Sequence, residues 1–131
     1  LGVAQLEQLD SFLEIKRSNA ELYRQLLSEI PQVELAWEEP WAKSNFWLCT
    51  LLVPAADRKP LMDHLLSENI QVRPAWKLMH TLPMYQDCQK YRLEETEAVF
   101  EHCISIPSSV QLTEEEIRFV VKSIQTYFDQ S

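Results

Sequence analysis

Apolar positions recur at helical spacing through the first part of the chain. The main stripe keeps spacings of three, four or seven residues and comprises Leu6, Leu9, Leu13, Ala20, Tyr23, Leu27 and Ile30. A second apolar set lies on another side of the same helix and comprises Phe12, Ile15, Leu22 and Leu26. The pattern predicts one helix over residues 1–30, clasped between neighbours and ended by Pro31. Because Leu1 is already in phase and no capping residue precedes it, we expect an excised fragment that begins inside a longer helix.

Short apolar runs bounded by breaker residues predict the strands. They span residues 33–37, 46–53, 70–73 and 104–106. The run FWLCTLLV is apolar on both faces except at Thr50, which is typical of a central strand that is covered on both sides.

More helices are predicted around these strands. Asp57 is placed to cap one of them, its inner face comprises Leu61, Leu65 and Leu66, and Asn69 is placed to end it in the left-handed conformation. A short helix with Ala98, Val99 and His102 on one face follows over residues 94–103, and Thr113 and Glu116 form a capping box for the last helix. The order of elements predicts one α/β (α+β) domain over residues 1–131, with a small mixed sheet packed against helices.

Composition narrows the chemistry that this domain can hold. Gly2 is the single glycine, where average usage would give about nine, so glycine-rich phosphate loops are excluded. The net charge of −8 argues against a nucleic-acid partner, because such a surface needs cations for the phosphate backbone. No apolar stretch approaches the length of a membrane span.

The cysteines point to a reducing compartment. Cys49, Cys88 and Cys103 are odd in number and widely spaced, with no CxxC pair, which favours a cytoplasmic protein. Cys49 and Cys103 lie in apolar surroundings, so we expect buried thiols there. A metal site built from Cys88, Cys103, His80 and His102 is an alternative, but no local pair among them has the spacing of zinc ligands, and we expect no metal.

The stretch PAWKLMHTLPMYQDCQKYRL, residues 74–93, has no clean period. A loop of this length in a compact domain usually has a function. His80, near Lys77 and Arg73, is the best candidate for acid–base or substrate chemistry, with an ordinary surface histidine as the alternative. Trp76 either stacks on a planar or sugar ligand or plugs the loop onto the core.

Several segments, taken in chain order, are similar to one known family. They are LGVAQLEQLDSFLEIKRSNAELYRQLL, SNFWLCTLLV, IQVRPAWKLMHTLPMY and CISIPSSVQLTEEEIRFVVKSI. They resemble the opening helix, central strand, substrate-side loop and closing strand and helix of the C-terminal domain in the DegT/StrS-type nucleotide-sugar aminotransferases, which depend on pyridoxal phosphate (PLP). The pattern RPxWKxMHxxPMY looks closest to the branch that aminates 4-keto sugars for legionaminic acid or bacillosamine-like products.

This resemblance implies the small, C-terminal domain of a fold-type-I PLP aminotransferase. In that family the Schiff-base lysine and the phosphate cup lie in the preceding large domain, so no catalytic or cofactor-binding residue is expected here. The parent enzyme would transfer an amino group, commonly from glutamate, to a keto nucleotide sugar for surface polysaccharide synthesis. It would act as a homodimer, and this chain alone would bind no PLP and be inactive.

The resemblance also implies which residues contact the substrate. The residues expected to face the nucleotide sugar are Arg73, Trp76, Lys77 and His80, followed by Asn45 and Trp47 as weaker candidates. Two other functions remain open from the residues alone. One is a stand-alone protein-interaction module without catalysis, and the other is a small metal-dependent enzyme.

Overall fold

The structure, a computed structural model, describes residues 2–130, so the predicted helix start at Leu1 lies outside the described residues. The helices are α1 (Gly2–Leu6), α2 (Leu9–Leu27), α3 (Ala55–Ser67), α4 (Glu94–His102) and α5 (Glu114–Gln130). The strands are β1 (Glu34–Leu35), β2 (Cys49–Leu52), β3 (Arg73–Pro74) and β4 (Cys103–Ile106). Short 3-10 turns at Met79–Thr81 and Pro83–Tyr85 interrupt the segment between β3 and α4.

The four strands form one sheet in the order β1-β2-β4-β3. Its described pairings are all antiparallel, so the expectation of a mixed sheet is wrong. The direction of a strand depends on how the chain crosses the sheet, and apolar patterning carries no information about that. The predicted α/β class is confirmed, because helices pack against this small sheet.

One face of the sheet carries the core. Residues directly opposite each other in an antiparallel sheet share a face, and Leu35, Leu51 and Ile104 form one such row. All three are buried in one cluster with side chains of α2, α3 and α5. The neighbouring row on the other face holds Thr50 and Ser105, which are only half-buried. β2 is therefore an inner strand, as predicted, but it is fully covered on one face only.

The first predicted helix is divided in two. α1 ends at Leu6 and α2 begins at Leu9, and both of these leucines are exposed. The apolar stripe becomes buried only from Ala20 onward, where α2 packs against α5. Short helices gain most of their stability from tertiary packing, which the described part of α1 lacks.

Two details of α3 differ from the sequence prediction. Asp57 does not cap the helix, because Pro54 occupies the N-cap position and makes no side-chain cap bond. The Asp57 carboxylate instead accepts a hydrogen bond of 3.0 Å from the Tyr127 hydroxyl on α5. Leu66, predicted on the inner face, is exposed. The stop at Asn69 is confirmed by its left-handed φ of 62°.

α4 lies against the rest of the fold without contributing a buried residue. The Arg58 guanidinium donates to the backbone oxygen of Phe100 at 2.6 Å, and His102 Nδ1 lies 2.8 Å from the backbone oxygen of Val53. These contacts attach α4 to α3 and to the end of β2, and one of them comes from His102 on the predicted face.

The capping box at the start of α5 is confirmed. Glu116 N–H donates to Thr113 Oγ1 at 3.2 Å, and Thr113 N–H donates to the Glu116 carboxylate at 2.8 Å. The bond from the Thr113 backbone N–H is the main cause that holds the pKa of Glu116 below its usual value, and the bond with the Thr113 side chain is the second. The helix start is fixed by residues that are local in sequence, which is why sequence alone predicted it.

Candidate functional site

Two exposed tryptophans meet at the surface. The ring centroids of Trp47 and Trp76 are 6.0 Å apart, with 36° between the ring planes. Trp47 precedes β2 and Trp76 follows β3, and the two side chains are 65% and 71% exposed. Trp76 therefore does not plug the loop onto the core. These two residues, called the tryptophan pair below, present aromatic surface to solvent.

Asn45 and Arg73 lie close to the tryptophan pair in sequence. The Asn45 side-chain oxygen accepts the backbone N–H of Trp47 at 3.0 Å, so this side chain shapes the turn before β2. Arg73 is exposed on the edge strand β3, opposite Ser105. By the pairing rule it belongs to the half-covered face of the sheet, in one row with Ser105 and Thr50.

Lys77 and His80 line a pocket of about 480 Å³ within the segment between β3 and α4. Its other polar and aromatic lining residues include Tyr85, Lys90 and Tyr91. The Thr81 hydroxyl donates to the backbone oxygen of Leu78 at 2.7 Å, which helps to order the first 3-10 turn. This cavity, called the loop pocket below, combines ammonium groups with aromatic rings.

His80 is held by a carboxylate from α4. Its Nε2 lies 2.9 Å from Glu97 Oε1, and its side chain is only 16% exposed. An ordinary surface histidine does not describe this arrangement. The sequence predicted the helix that carries Glu97 but not this contact, because a loop of irregular structure separates the two residues.

These contacts divide the predicted site residues other than Arg73 into two groups. Asn45 and Trp47 lie in the turn before β2 and Trp76 contacts Trp47, while Lys77 and His80 line the loop pocket. Trp76 and Lys77 are consecutive, so the two groups adjoin along the chain.

Comparison with known proteins identifies the family. A family model of the DegT/DnrJ/EryC1/StrS aminotransferases matches residues 1–125. The chain belongs to the DegT/DnrJ/EryC1/StrS aminotransferase family. The family resemblance seen in the sequence is thereby confirmed.

Relatives in this aminotransferase family match nearly the whole chain. GDP-perosamine synthase of Escherichia coli O157:H7 is 30% identical over 130 residues, which cover 98% of this chain and 35% of that protein. EpsN of Bacillus subtilis (strain 168), whose provisional name describes a pyridoxal phosphate-dependent aminotransferase, is 32% identical over 133 residues, covering 98% and 34%. The chain spans about one third of the length of these relatives.

The fold agrees with that of solved sugar aminotransferases. The crystal structure of the sugar aminotransferase CalS13 from Micromonospora echinospora matches with a TM-score of 0.86 at 26% identity, covering 96% of this chain and 33% of that one. This likeness confirms the predicted fold-type-I aminotransferase architecture for the described part of the chain.

In the part of the chain that the structure describes, the cysteines and histidines are not assembled into a metal site. Over residues 2–130, no three His, Cys, Asp or Glu side chains are grouped as ligands would be. Cys103 is buried and Cys88 is exposed, so the proposed four-ligand set is not brought together. Cys49 is buried as predicted, and burial raises the pKa of its thiol to about 11. Within the same residues, no helix is long and apolar enough to cross a bilayer.

Lys16, Lys59 and Lys77 do not fit a PLP site. PLP binds a lysine as a Schiff base and sets an acidic or basic partner at its pyridine nitrogen. Lys16 donates to backbone carbonyls, and Lys59 pairs with Asp63 on the surface of α3. Lys77 lines the loop pocket, whose lining residues include no Asp or Glu. Lys77 is therefore not assigned as the Schiff-base lysine.

Proposed function

We propose that this chain is the C-terminal small domain of a PLP-dependent sugar aminotransferase. The complete enzyme would move an amino group, with glutamate as donor, to a keto nucleotide sugar used in surface glycan synthesis. Membership of the DegT/DnrJ/EryC1/StrS family and the similarity to GDP-perosamine synthase support this proposal. Residues 1–131 would form one domain of a cytoplasmic homodimer, with PLP held by the remainder of the protein.

The observation that carries the proposal is the adjacency of the tryptophan pair and the loop pocket. Indole faces suit the flat or apolar side of a base or sugar. Lys77 and Lys90 in the loop pocket offer ammonium donors for a diphosphate, and Arg73 offers a guanidinium. His80, oriented by Glu97, can exchange hydrogen bonds with sugar hydroxyls. One exposed segment thus offers groups for each part of a nucleotide sugar.

Site-directed variants of the full-length protein test this assignment. Trp76→Ala should reduce kcat/KM by about 10- to 100-fold, because a lost stacking contact costs about 1–3 kcal/mol. His80→Ala should also reduce kcat/KM, and Lys77→Ala should add a loss that depends on salt concentration. Steady-state kinetics, thermal melts and the PLP absorbance are measured on the same samples.

Trp41→Ala is the matched control, since Trp41 is 85% exposed and lies outside both groups of site residues. It should leave kcat/KM and the melting temperature unchanged. A normal kcat/KM for Trp76→Ala and His80→Ala, with markedly lowered melting temperatures, would show that the segment is structural and would refute the site assignment.

The sugar branch is a finer proposal. The RPxWKxMHxxPMY pattern supports a 4-keto sugar leading to legionaminic acid or bacillosamine-like products. Purified full-length protein is assayed with a nucleotide-linked 4-keto sugar of that branch and with GDP-4-keto-6-deoxymannose as the competing substrate. A higher kcat/KM for the sugar of that branch supports the branch, and a higher value for GDP-4-keto-6-deoxymannose contradicts it while leaving the aminotransferase function intact.

Absence of PLP binding by the isolated chain is a separate expectation. The 131-residue protein is incubated with PLP, desalted and examined for an imine absorbance. We expect scattered substoichiometric adducts on surface lysines. A stoichiometric adduct at one lysine, with amino transfer to a keto sugar, would contradict the proposal that the cofactor site lies in the rest of the enzyme.

A further inference from the structure

Lys16 connects α2 to two distant turns through backbone carbonyls. Its ammonium donates to the oxygen of Ser108 at 2.6 Å and to that of Trp47 at 3.1 Å, and it lies 3.5 Å from the oxygen of Phe46. Burial lowers the pKa of this ammonium. Because its donors are directed at these carbonyls, Lys16 is not placed to bind a substrate phosphate itself.

Two more hydrogen bonds fix the backbone of Trp47. The Ser108 hydroxyl donates to the Trp47 carbonyl at 2.9 Å, so this one oxygen accepts from both Ser108 and Lys16. The Trp47 N–H donates to Asn45. Both peptide groups of Trp47 are therefore held by side chains. Asn45 from the same turn holds the N–H, and Ser108 and Lys16 from elsewhere in the fold hold the carbonyl.

The preceding residue adopts an unfavourable backbone conformation. Phe46 has a φ of 44°, in the left-handed region that a bulky residue rarely adopts. Its buried ring packs against Trp37, with centroids 4.7 Å apart, which holds the turn in place. Such strain persists only where the surroundings over-determine the conformation, and it concentrates at functional sites. Here its result is an indole that is held at its backbone and exposed at its ring.

We infer that Lys16 is a positioning residue that holds Trp47 beside Trp76, so that the pair forms a preorganised stacking surface for the planar base of a nucleotide. This inference rests on the proposed function for the identity of the ligand. Preorganisation matters because an exposed indole that is already ordered loses less entropy when a ligand stacks on it. Neutralising Lys16 leaves the Trp47 carbonyl with one fewer donor and frees the turn.

Circular dichroism tests the positioning role without any ligand. Two indoles at this separation couple electronically, and the coupling is obtained in the full-length protein as the difference between the wild type and Trp76→Phe. We expect Lys16→Met to lose this signal, Lys16→Arg to restore it in part, and Lys59→Met to retain it. Lys59 is the matched control because it pairs with Asp63 on the exposed surface of α3.

An unchanged coupling signal in folded Lys16→Met overturns the inference. If Lys16→Met does not fold, Lys16→Gln replaces it, because this change removes the ammonium and shortens the side chain while keeping one polar donor. A weakened signal in Lys16→Gln then supports the inference, and an unchanged signal overturns it.

Nucleotide binding tests the base-stacking role. GDP, UDP and dTDP are titrated separately against tryptophan fluorescence, with inorganic pyrophosphate as the probe that lacks a base. We expect at least one nucleotide to bind, and Lys16→Met to raise its Kd by about tenfold through loss of stacking. In steady-state kinetics of the full-length protein, Lys16→Met should raise KM for the sugar substrate and retain kcat.

The two experiments separate the two claims. If no nucleotide binds the wild type, or all bind no better than pyrophosphate, the proposed function and the assignment of a base are refuted. The coupling signal still decides whether Lys16 positions the tryptophan pair. If nucleotides bind the wild type and Lys16→Met equally, the stacking role of the positioned pair is refuted while the proposed function stands.

Discussion

Two regions of this domain differ sharply in burial. Side chains of α2, α5, β2 and β4 that face one another are almost wholly excluded from solvent, with Tyr23, Leu51 and Ile104 at 0% exposure. By contrast, no residue from Arg73 to His102 is buried. Trp76 within this segment and Trp47, which contacts it, are exposed, and α4 makes polar contacts with the rest of the fold. This segment therefore carries little of the folding free energy.

This difference separates two kinds of sequence constraint. In the core, close packing requires each side chain to fit the shape and volume of its neighbours. Side chains in the segment from Arg73 to His102 are not under this packing constraint, so they are available for binding. Segments with few buried apolar contacts also open locally at low free energy, which suits a surface that must receive and release a ligand.

The largest expected effect is a core truncation. Ile104→Ala should lower the free energy of unfolding by about 2–5 kcal/mol, because it removes packed atoms and leaves a cavity. Val99→Ala on exposed α4 is the matched control and should change it by less than about 1 kcal/mol. Urea unfolding followed by circular dichroism measures both. Similar losses for the two variants would show that the core and the segment from Arg73 to His102 contribute equally to stability, which contradicts the comparison.

The Arg17–Glu38 pair should produce a pH-dependent effect smaller than the core truncation, since both side chains reach solvent. Arg17 donates to both Glu38 oxygens, at 2.6 and 3.0 Å, and the Ser44 N–H adds a further bond. These bonds lower the pKa of Glu38 from its ordinary value near 4.5 to about 2.

A depressed folded-state pKa stabilises the fold above the unfolded-state pKa, and this contribution is lost as pH falls toward 2. Glu38→Gln should therefore melt below the wild type at neutral pH, and the gap should close on acidification through that window. Glu39→Gln, at the adjacent exposed position, is the control. A gap that is independent of pH would show that the ion pair does not link pH to stability.

Removing the α5 cap should have a smaller effect again. Thr113→Ala should cost about 1 kcal/mol of unfolding free energy, because it leaves a helix-start N–H without its acceptor. Thr126→Ala, within the same helix, removes a hydroxyl that bonds to the Lys122 carbonyl and serves as the comparison. Equal effects for both threonines would show that the capping box adds nothing beyond an ordinary helix hydroxyl.

The smallest effect on global stability is expected at the contact between the loop and α4. Glu97→Gln weakens the bond to His80, and a pair whose carboxylate is open to solvent contributes about 0–1 kcal/mol. Global unfolding should hardly change, while hydrogen exchange at the backbone amides of residues 79–85 becomes faster. Glu101→Gln, on the same helix, should leave that exchange unchanged. Unaltered exchange in Glu97→Gln would mean that the contact does not order the loop pocket.

Local sequence signals predicted much of the core. The buried part of the α2 stripe, the α5 capping box and the left-handed Asn69 each depend on residues within one or two helical turns. Asp57 shows where such reasoning fails. Its position matches a cap, yet its carboxylate accepts a hydrogen bond from Tyr127, which a local pattern cannot reveal.

The candidate site was predicted only in outline. The lack of periodicity over residues 74–93 indicated Trp76, Lys77 and His80 as candidates. Their partners, however, come from elsewhere in the chain. Lys16 reaches Ser108 across 92 positions of sequence, and Glu97 meets His80 from another element. Tertiary geometry decides such contacts, so periodicity and spacing gave no sign of them.

The proline in β3 has a consequence for how this domain behaves among copies of itself. β3 is an outer strand, and Pro74, opposite Ile104, has no N–H to offer a neighbouring chain. The other outer strand, β1, is only two residues long and carries exposed Glu34. Short, charged or proline-bearing borders are how soluble proteins prevent strands of separate molecules from joining into aggregates. At both borders, therefore, the sheet resists growth by strand addition, even when the domain is concentrated.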